Sequence, residues 1–259
     1  MKFKIVGLSS TGTPSFQSLI SYVIDGTLAV DAGGLGCVTP LSAQRAIRHV
    51  LLTHVHHDHI ATLPVFLENV HQRGEKAVTV YGSRHTLSVL RHSVFNGRVW
   101  PDLEKLSVDG EPFVRFETVR ALEPFSIGKY RVTPVKLNHT IPTVGYIVEE
   151  VKAKGPNAAI AVVSDTGPTK EIWTQLKRIR HLKAVLLELS FPDDQLALAK
   201  LTRHLTPSLF RRQIEHLPPS VRVFAVHLKP AFRDQIAREF EAMKLPNAEI
   251  GELERWYEV

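Results

Sequence analysis

The chain is predicted to be an α/β protein in which two β-sheets are sandwiched between helices, a four-layer αββα arrangement spanning 1–259 as one domain. Three observations predict this class. The first 31 residues read as an antiparallel β layer, because Lys2 to Gly7 alternates side chains with period two. Each half of the chain then alternates apolar strand segments with helix segments, the order that lays helices over sheets. Apolar residues make up 44% of the 259 and charged residues 22%, so a substantial core can be buried and the chain is not disordered. No repeat of fixed period, low-complexity segment or linker divides it.

Taken in order, Leu19 to Ile24 and Thr27 to Val30 are strands joined through Asp25-Gly26, a hairpin turn pair. Ser9 to Pro14 is a turn-rich loop. The second strand runs into Asp31-Ala32-Gly33-Gly34, where Asp31 is either a turn former or a carboxylate that orients a liganding histidine. Thr39 to His49 is a short helix, with Thr39 at the N-cap and Pro40 at the first helical position. Ile60 to Gln72 is helical, with Pro64 in its first turn and Gly74 as its stop. Ala77 to Tyr81 is a strand, and Ser83 caps a helix running to Phe95. Residues 96–112 form a connecting loop expected to wall the functional site.

Strands follow at 113–119, 123–127, 129–137 and 144–150, interrupted by Asn138-His139-Thr140, and 152–157 is a turn. Ala158 to Ser164 and Ala184 to Leu189 are buried strands; helices occupy Pro168 to Ile179 and Asp194 to Leu201. Thr206-Pro207 opens a helix to His216, Val221 to Val226 is a strand, Phe232 to Met243 is an amphipathic helix, and the tail is β-like.

The formal charge of +6 favours anionic partners such as phosphates or nucleic acid, although the Lys and Arg are scattered rather than blocked. The single cysteine, Cys37, excludes an internal disulfide; it reads first as a small hydrophobe in a Gly-rich turn, and second as a metal ligand or a reactive thiol. No apolar run approaches the ~18 residues of a membrane span, and the N-terminus has no secretory h-region. The expectation is a cytoplasmic protein with no membrane partner.

The most informative stretch is Leu51-Leu52-Thr53-His54-Val55-His56-His57-Asp58-His59-Ile60. It is a buried strand that stops at an H-x-H-x-D-H run. So many polar rings packed together would leave buried donors and acceptors unsatisfied, whereas imidazoles with a carboxylate suit zinc, iron or manganese. A histidine-rich surface tract would lack the core-like flanks Val50-Leu51-Leu52 and Ile60-Ala61-Thr62-Leu63.

Further candidates share one position type. His54, His139, Asp165 and His227 each follow an apolar strand, and in α/β sheets ligands gather at the carboxyl ends of strands. Asp165 could instead cap the helix that begins at Pro168. The set His54, His56, Asp58, His59, His139, Asp165 and His227 exceeds what one tetrahedral ion takes, so it suits two ions with Asp165 bridging. Two ions ~3.5–4 Å apart are a device for phosphoryl-ester hydrolysis, acting through a shared water deprotonated to hydroxide. Glu188, a lone carboxylate in an apolar strand, needs a partner, and His204 is the candidate. His49, His71, His85, His92, His181, His216, Arg211 and Arg212 read as surface or helix-end residues.

This run, with the later His, Asp and His, resembles the metallo-β-lactamase superfamily over nearly the whole chain. Glu188-Leu189-Ser190-Phe191-Pro192, Arg203-His204-Leu205-Thr206-Pro207, Val226-His227-Leu228-Lys229-Pro230, Phe95 to Asp102 and Ser164-Asp165-Thr166-Gly167 resemble its class II cyclic-nucleotide phosphodiesterases. The resemblance implies a metallo-β-lactamase-like sandwich that hydrolyses 3′,5′-cyclic nucleotides to 5′-nucleotides. It implies that His54, His56 and His139 hold one ion, Asp58, His59 and His227 the other, and that Asp165 bridges; zinc is the expected metal, with manganese and iron also suited.

It further implies catalytic roles for Asp58, His204 and Glu188, His204 lying near the scissile phosphate and Glu188 orienting it. Two departures stand out. His57 occupies a place where these phosphodiesterases carry an apolar residue, and His139 to Tyr146 is closer to tRNA 3′-end-processing relatives. A tRNA 3′-endonuclease ranks lower because no long Lys/Gly-rich arm is visible. A non-catalytic metal- or nucleotide-binding module and a di-iron redox centre complete the range of functions this ligand set could serve. The expected partner is a small anionic nucleotide, with nucleic acid ranked below it and a homodimer left open.

Overall fold

In a computed structural model the described residues are 1–7, 19–72, 75–108, 110–152 and 157–259. The expected loop at Ser9 to Pro14, the helix stop at Gly74 and most of the turn at 152–157 lie outside them.

The strands are β1 (Lys2–Ile5), β2 (Tyr22–Ile24), β3 (Leu28–Val30), β4 (His49–Leu51), β5 (Val78–Gly82), β6 (Ser107–Val108), β7 (Glu111–Pro112), β8 (Val114–Thr118), β9 (Phe125–Ile127), β10 (Tyr130–Lys136), β11 (Val144–Glu150), β12 (Ala158–Val163), β13 (Leu182–Glu188), β14 (Arg222–Val226), β15 (Ala248–Ile250) and β16 (Trp256–Glu258). The helices are α1 (Leu41–Ala46), α2 (His57–Ile60), α3 (Leu63–Val70), α4 (Arg84–Val89, continued by a π turn Leu90–Val94), α5 (Glu171–Leu176), α6 (Leu196–Thr202), α7 (Pro207–Ile214) and α8 (Arg233–Ala242).

Two seven-stranded sheets form, in the orders β16-β1-β2-β3-β4-β5-β8 and β15-β14-β13-β12-β11-β10-β9. One cluster of buried side chains, with Phe3, Ile24, Tyr146 and Phe224, fills the space between them. A second lies under α5, α7 and α8, with Trp173, Phe210 and Phe240, and a third under α1, α3 and α4, with Leu35, Phe66 and Leu87. This is the predicted αββα sandwich. β12 and residues 184–187 of β13 are covered on both faces, which is why their sequences are continuously apolar rather than alternating.

Strand direction sets where the site forms. β3, β4 and β5 run parallel in one sheet, β12, β13 and β14 in the other. β10 is antiparallel to β11, which is antiparallel to β12, so β10 shares the direction of β12. In each sheet these strands therefore deliver their carboxyl ends to a common edge, and the side chains beyond them meet across the sandwich.

Most expected elements stand, and the differences have local causes. The helix expected over Thr39 to His49 is only Leu41–Ala46, with Pro40 itself at the N-cap, and His49 already belongs to β4. The helix expected over Ile60 to Gln72 is two pieces. Pro64 has no N–H and its ring would strike the carbonyl of Ile60, while the Thr62 hydroxyl is drawn to the Ala32 carbonyl and receives the Gly36 N–H. The helix expected from Pro168 begins at Glu171 with Lys170 at its N-cap, so Asp165 does not cap it. The loop 96–112 carries the short β6–β7 ladder and is tied to the far end of α4 by Trp100 N–H to Val94 O. Cys37 is exposed rather than packed as a small hydrophobe.

Candidate metal centre

The strand β4 ends at Leu51, and the chain then presents His54 and His56 before turning into α2, whose first turn carries Asp58 and His59. Asp31 just past β3, His139 past β10, Asp165 past β12, Glu188 at the end of β13 and His227 just past β14 complete the rim. Donor atoms of His54, His56, His139 and Asp165 lie within 4.8 Å of one another, as do those of Asp58, His59 and His227, and those of Asp165, His204 and His227. Thus all seven predicted ligands meet, joined by His204. His57, alone among the histidines of the run, is exposed and stands outside these groups.

Asp165 lies between the two sets. Its Oδ1 is 3.3 Å from His59 Nε2 and 3.6 Å from His227 Nε2, while its Oδ2 is 3.8 Å from His54 Nε2 and from His139 Nε2. Asp58 Oδ2 lies 3.2 Å from His227 Nε2.

The ring orientations are fixed from behind. Asp31 accepts His59 Nδ1–H at 2.7 Å and the Thr53 hydroxyl at 2.8 Å; that hydroxyl faces His54 Nδ1 at 3.0 Å and receives the Ser164 hydroxyl at 3.0 Å. Asp31 is therefore the carboxylate that orients the candidate ligand His59 and, through Thr53, His54. His139 Nδ1–H donates to the Arg203 carbonyl at 3.2 Å, and the Arg203 guanidinium returns a bond to the His139 carbonyl. His227 Nδ1 meets Ser190 Oγ at 2.8 Å, and Ser190 donates to Glu188 Oε2 at 2.8 Å. Glu188 Oε1 accepts His204 Nδ1–H at 2.7 Å and the Thr166 N–H at 3.1 Å.

With their Nδ1 protons directed outward, His54 and His139 must turn Nε2 lone pairs inward, and these face His56 Nδ1 at 3.0 and 3.2 Å. His59 Nε2 and Asp165 Oδ1 are buried without a hydrogen-bond partner. Lone pairs crowded this way repel unless a cation lies among them, so the donor set fits divalent metal ions. Burial, reinforced by charged neighbours, holds His54 well below the ordinary imidazole range, and burial brings His139 down to about 4. Burial pushes the Asp165 carboxyl up, but His227, His59 and His54 outweigh it and keep it well below the carboxylate range. His54 and His139, neutral beside an ionised Asp165, are in the states that ligation requires. Burial lowers His59, but the Asp165 and Asp31 carboxylates outweigh it and raise it well above the ordinary imidazole value, a proton that a bound cation would displace.

Asp31, Arg203 and His227 all have left-handed backbones, with φ of 59°, 55° and 61°. None is glycine, and such conformations collect where a rigid surround holds functional groups in place. Gly33 allows a close approach: a Cβ there would lie 1.9 Å from the Asp58 carbonyl oxygen.

Thr53, Ser164, Ser190, Arg203 and Lys229 were not singled out from the sequence as site residues. Ser164, Ser190, Arg203 and Lys229 stand in the stretches that carry the family resemblance, next to or two residues from a chosen residue, and that adjacency is the signal that would have found them.

A two-sheet αββα sandwich with a His/Asp cluster at its shared rim defines a protein of the metallo-β-lactamase fold with a divalent-metal site. Solved structures agree: the metallo-β-lactamase fold protein YhfI from Bacillus subtilis superposes with a TM-score of 0.69 at 16% identity, covering 100% of this chain and 99% of that one. Unliganded yeast PDE1 superposes with a TM-score of 0.75 at 21% identity, covering 96% of each chain.

The sequence profile of the class-II cAMP phosphodiesterases matches residues 39–229, and the chain belongs to that family. A probable 3′,5′-cyclic-nucleotide phosphodiesterase of Yersinia pestis is 25% identical over 283 residues, 89% of this chain and 79% of the relative. The ribonuclease Z of Kineococcus radiotolerans is 31% identical over a shorter stretch, 57% of this chain and 44% of its own length.

Proposed function

We propose that the protein hydrolyses 3′,5′-cyclic nucleotides to 5′-nucleotides at a centre of two divalent ions. His54, His56 and His139 would hold one ion, Asp58, His59 and His227 the other, and Asp165 would bridge them. The observation that carries this reading is the stance of Asp165, one oxygen toward His59 and His227 and the other toward His54 and His139. Zinc suits an imidazole-rich set with few carboxylates, and manganese and iron are accommodated by the same donors. Ions bound there lower the pKa of an adjacent water and neutralise the phosphate.

The chain's own groups supply the rest. His204 is anchored through Nδ1 to Glu188, which leaves Nε2 facing the centre, 3.9 Å from Asp165 Oδ2. Burial lowers its proton affinity, but the Glu188 and Asp165 carboxylates outweigh that and hold it above the ordinary imidazole value. Water that has given a proton to solvent bonds through oxygen to phosphorus, the P–O3′ bond breaks, His204 passes a proton from Nε2 to the departing 3′-oxygen, and the ring regains its proton from solvent. Glu188 keeps the ring in register and compensates its charge. Asp31 likewise holds the His59 ring in register, and through Thr53 that of His54.

Elemental analysis combined with turnover of cyclic AMP, cyclic GMP and bis-p-nitrophenyl phosphate tests the reading. Cleavage of the generic diester with cyclic nucleotides untouched would keep the chemistry and discard the substrate. The second reading, a tRNA 3′-endonuclease, is favoured by the ribonuclease Z matches over about half the chain and by the His139 to Tyr146 stretch. A gel shift with precursor tRNA and assay of its cleavage separates the two.

A further inference from the structure

Lys229 lies two residues past His227, where β14 has ended and before the 3-10 turn Pro230–Phe232 begins. Its ammonium is 3.8 Å from Asp58 Oδ2, its only carboxylate within ion-pair distance among the described residues, and its side chain is 33% exposed. Asp58 is already engaged by His227 at 3.2 Å. The other cation at the rim, Arg203, is committed to the His139 carbonyl.

We propose that Lys229 is the phosphate anchor of the site, binding a non-bridging oxygen of the diester substrate and of the phosphomonoester product. The proposal rests on the phosphodiesterase reading of this centre. As a ligand, Asp58 gives its charge to an ion, and an ammonium 3.8 Å from that carboxylate then faces a cationic centre. The arrangement is balanced when an anion lies beside both. A diester brings one negative charge, and a phosphomonoester brings about 1.5–2 near neutral pH. A compact ammonium with three donors on a flexible stem suits phosphate oxygens, and its partial exposure lets it meet an arriving ligand.

The competing role for Lys229 is support of Asp58, and the experiment separates the two. Lys229→Met and Lys229→Arg are prepared in the metal-loaded protein. They are assayed with bis-p-nitrophenyl phosphate, which has no nucleobase, and with inorganic phosphate as inhibitor. In Lys229→Met the KM and the phosphate inhibition constant are expected to rise about tenfold or more, as loss of a charge-assisted bond implies, with kcat within about threefold. Bound metal should be unchanged, Lys229→Arg should recover most of the loss, and inhibition should weaken less steeply with salt in Lys229→Met than in the parent. Unchanged KM and phosphate inhibition, or loss of bound metal in Lys229→Met, would overturn the proposal. Failure of the parent on cyclic AMP alone would remove the nucleotide substrate and leave this comparison standing.

Discussion

His204 Nδ1 lies 2.7 Å from Glu188 Oε1, and the other oxygen of the same carboxylate holds Ser190, which holds His227. One buried side chain thus supports both a candidate ligand and the candidate proton donor. The bond pins the tautomer of His204 so that only Nε2 faces the centre.

If His204 protonates the leaving oxygen, its loss should depend on the leaving group. His204→Ala is expected to lower kcat on cyclic AMP by roughly 10²–10⁴-fold, the usual worth of a general acid. The loss on bis-p-nitrophenyl phosphate should be much smaller, because p-nitrophenolate departs without a proton. Bound metal should stay unchanged. Equal losses on both substrates would remove the proton-donor role. Glu188→Gln, which keeps an acceptor for His204 but not the charge, should fall between His204→Ala and the parent.

The bridging role proposed for Asp165 makes a prediction about stoichiometry. Asp165→Ala should lose metal from both sets of ligands and with it all metal-dependent hydrolysis, while His56→Ala should lose metal chiefly from its own set. Both should remain folded, since the centre sits at the rim and not in the three apolar clusters. Chelation of the parent should lower its Tm, because a metal that binds only the folded state stabilises it by mass action. Full activity in either purified variant would sink the two-ion reading.

The site was legible in the sequence to the extent that chemistry and position coincide. A histidine or aspartate directly after an apolar strand is conspicuous, and His54, His139, Asp165 and His227 all met at the rim. Asp31 stayed ambiguous because a carboxylate before glycines reads as a turn former, and its left-handed φ of 59° shows it also bends the chain. Ser190 and Thr53 were missed because isolated hydroxyls occur throughout any sequence. Arg203 acts on His139 partly through its backbone carbonyl, which carries no residue signature. The break between α2 and α3 depends on the bonds of Thr62 to Ala32 and Gly36, some thirty residues distant in the chain and outside the window that periodicity reads.

Gly33 tests how tightly the metal loop is seated. The Asp58 carbonyl accepts the Ile20 N–H at 2.6 Å and the His59 carbonyl accepts the Ala32 N–H at 2.8 Å, leaving no room for a side chain between them. Gly33→Ala would set a methyl 1.9 Å from the Asp58 oxygen, so backbone must shift. The expected cost is about 1–3 kcal/mol of stability, typical of overpacking, together with weaker metal binding because Asp58 and His59 move with their backbone. Denaturant unfolding and metal titration measure the two effects. A variant with parental stability and metal affinity would contradict the packing described.

Acid stability should report on the opposite end of the sandwich. Asp25, in the β2–β3 turn, takes bonds from Lys129, Tyr130 and the Lys2 N–H. Burial pushes its carboxyl up, but these bonds outweigh burial and hold it below the ordinary carboxyl value of 3.8. A carboxyl depressed in the folded state contributes stability that is fully present above the unfolded pKa and is lost as pH falls through the folded one. Asp25→Asn keeps a residue that tolerates the left-handed φ of 47° there, so the charge and one acceptor oxygen are removed without straining the turn. The variant should therefore have a lower Tm than the parent at neutral pH, and the gap should close as pH falls below 3.8. Thermal unfolding of both proteins from pH 7 down to about 2.5 checks this; a gap that stays constant across that range would mean the Asp25 charge contributes nothing, and that the bonds alone matter.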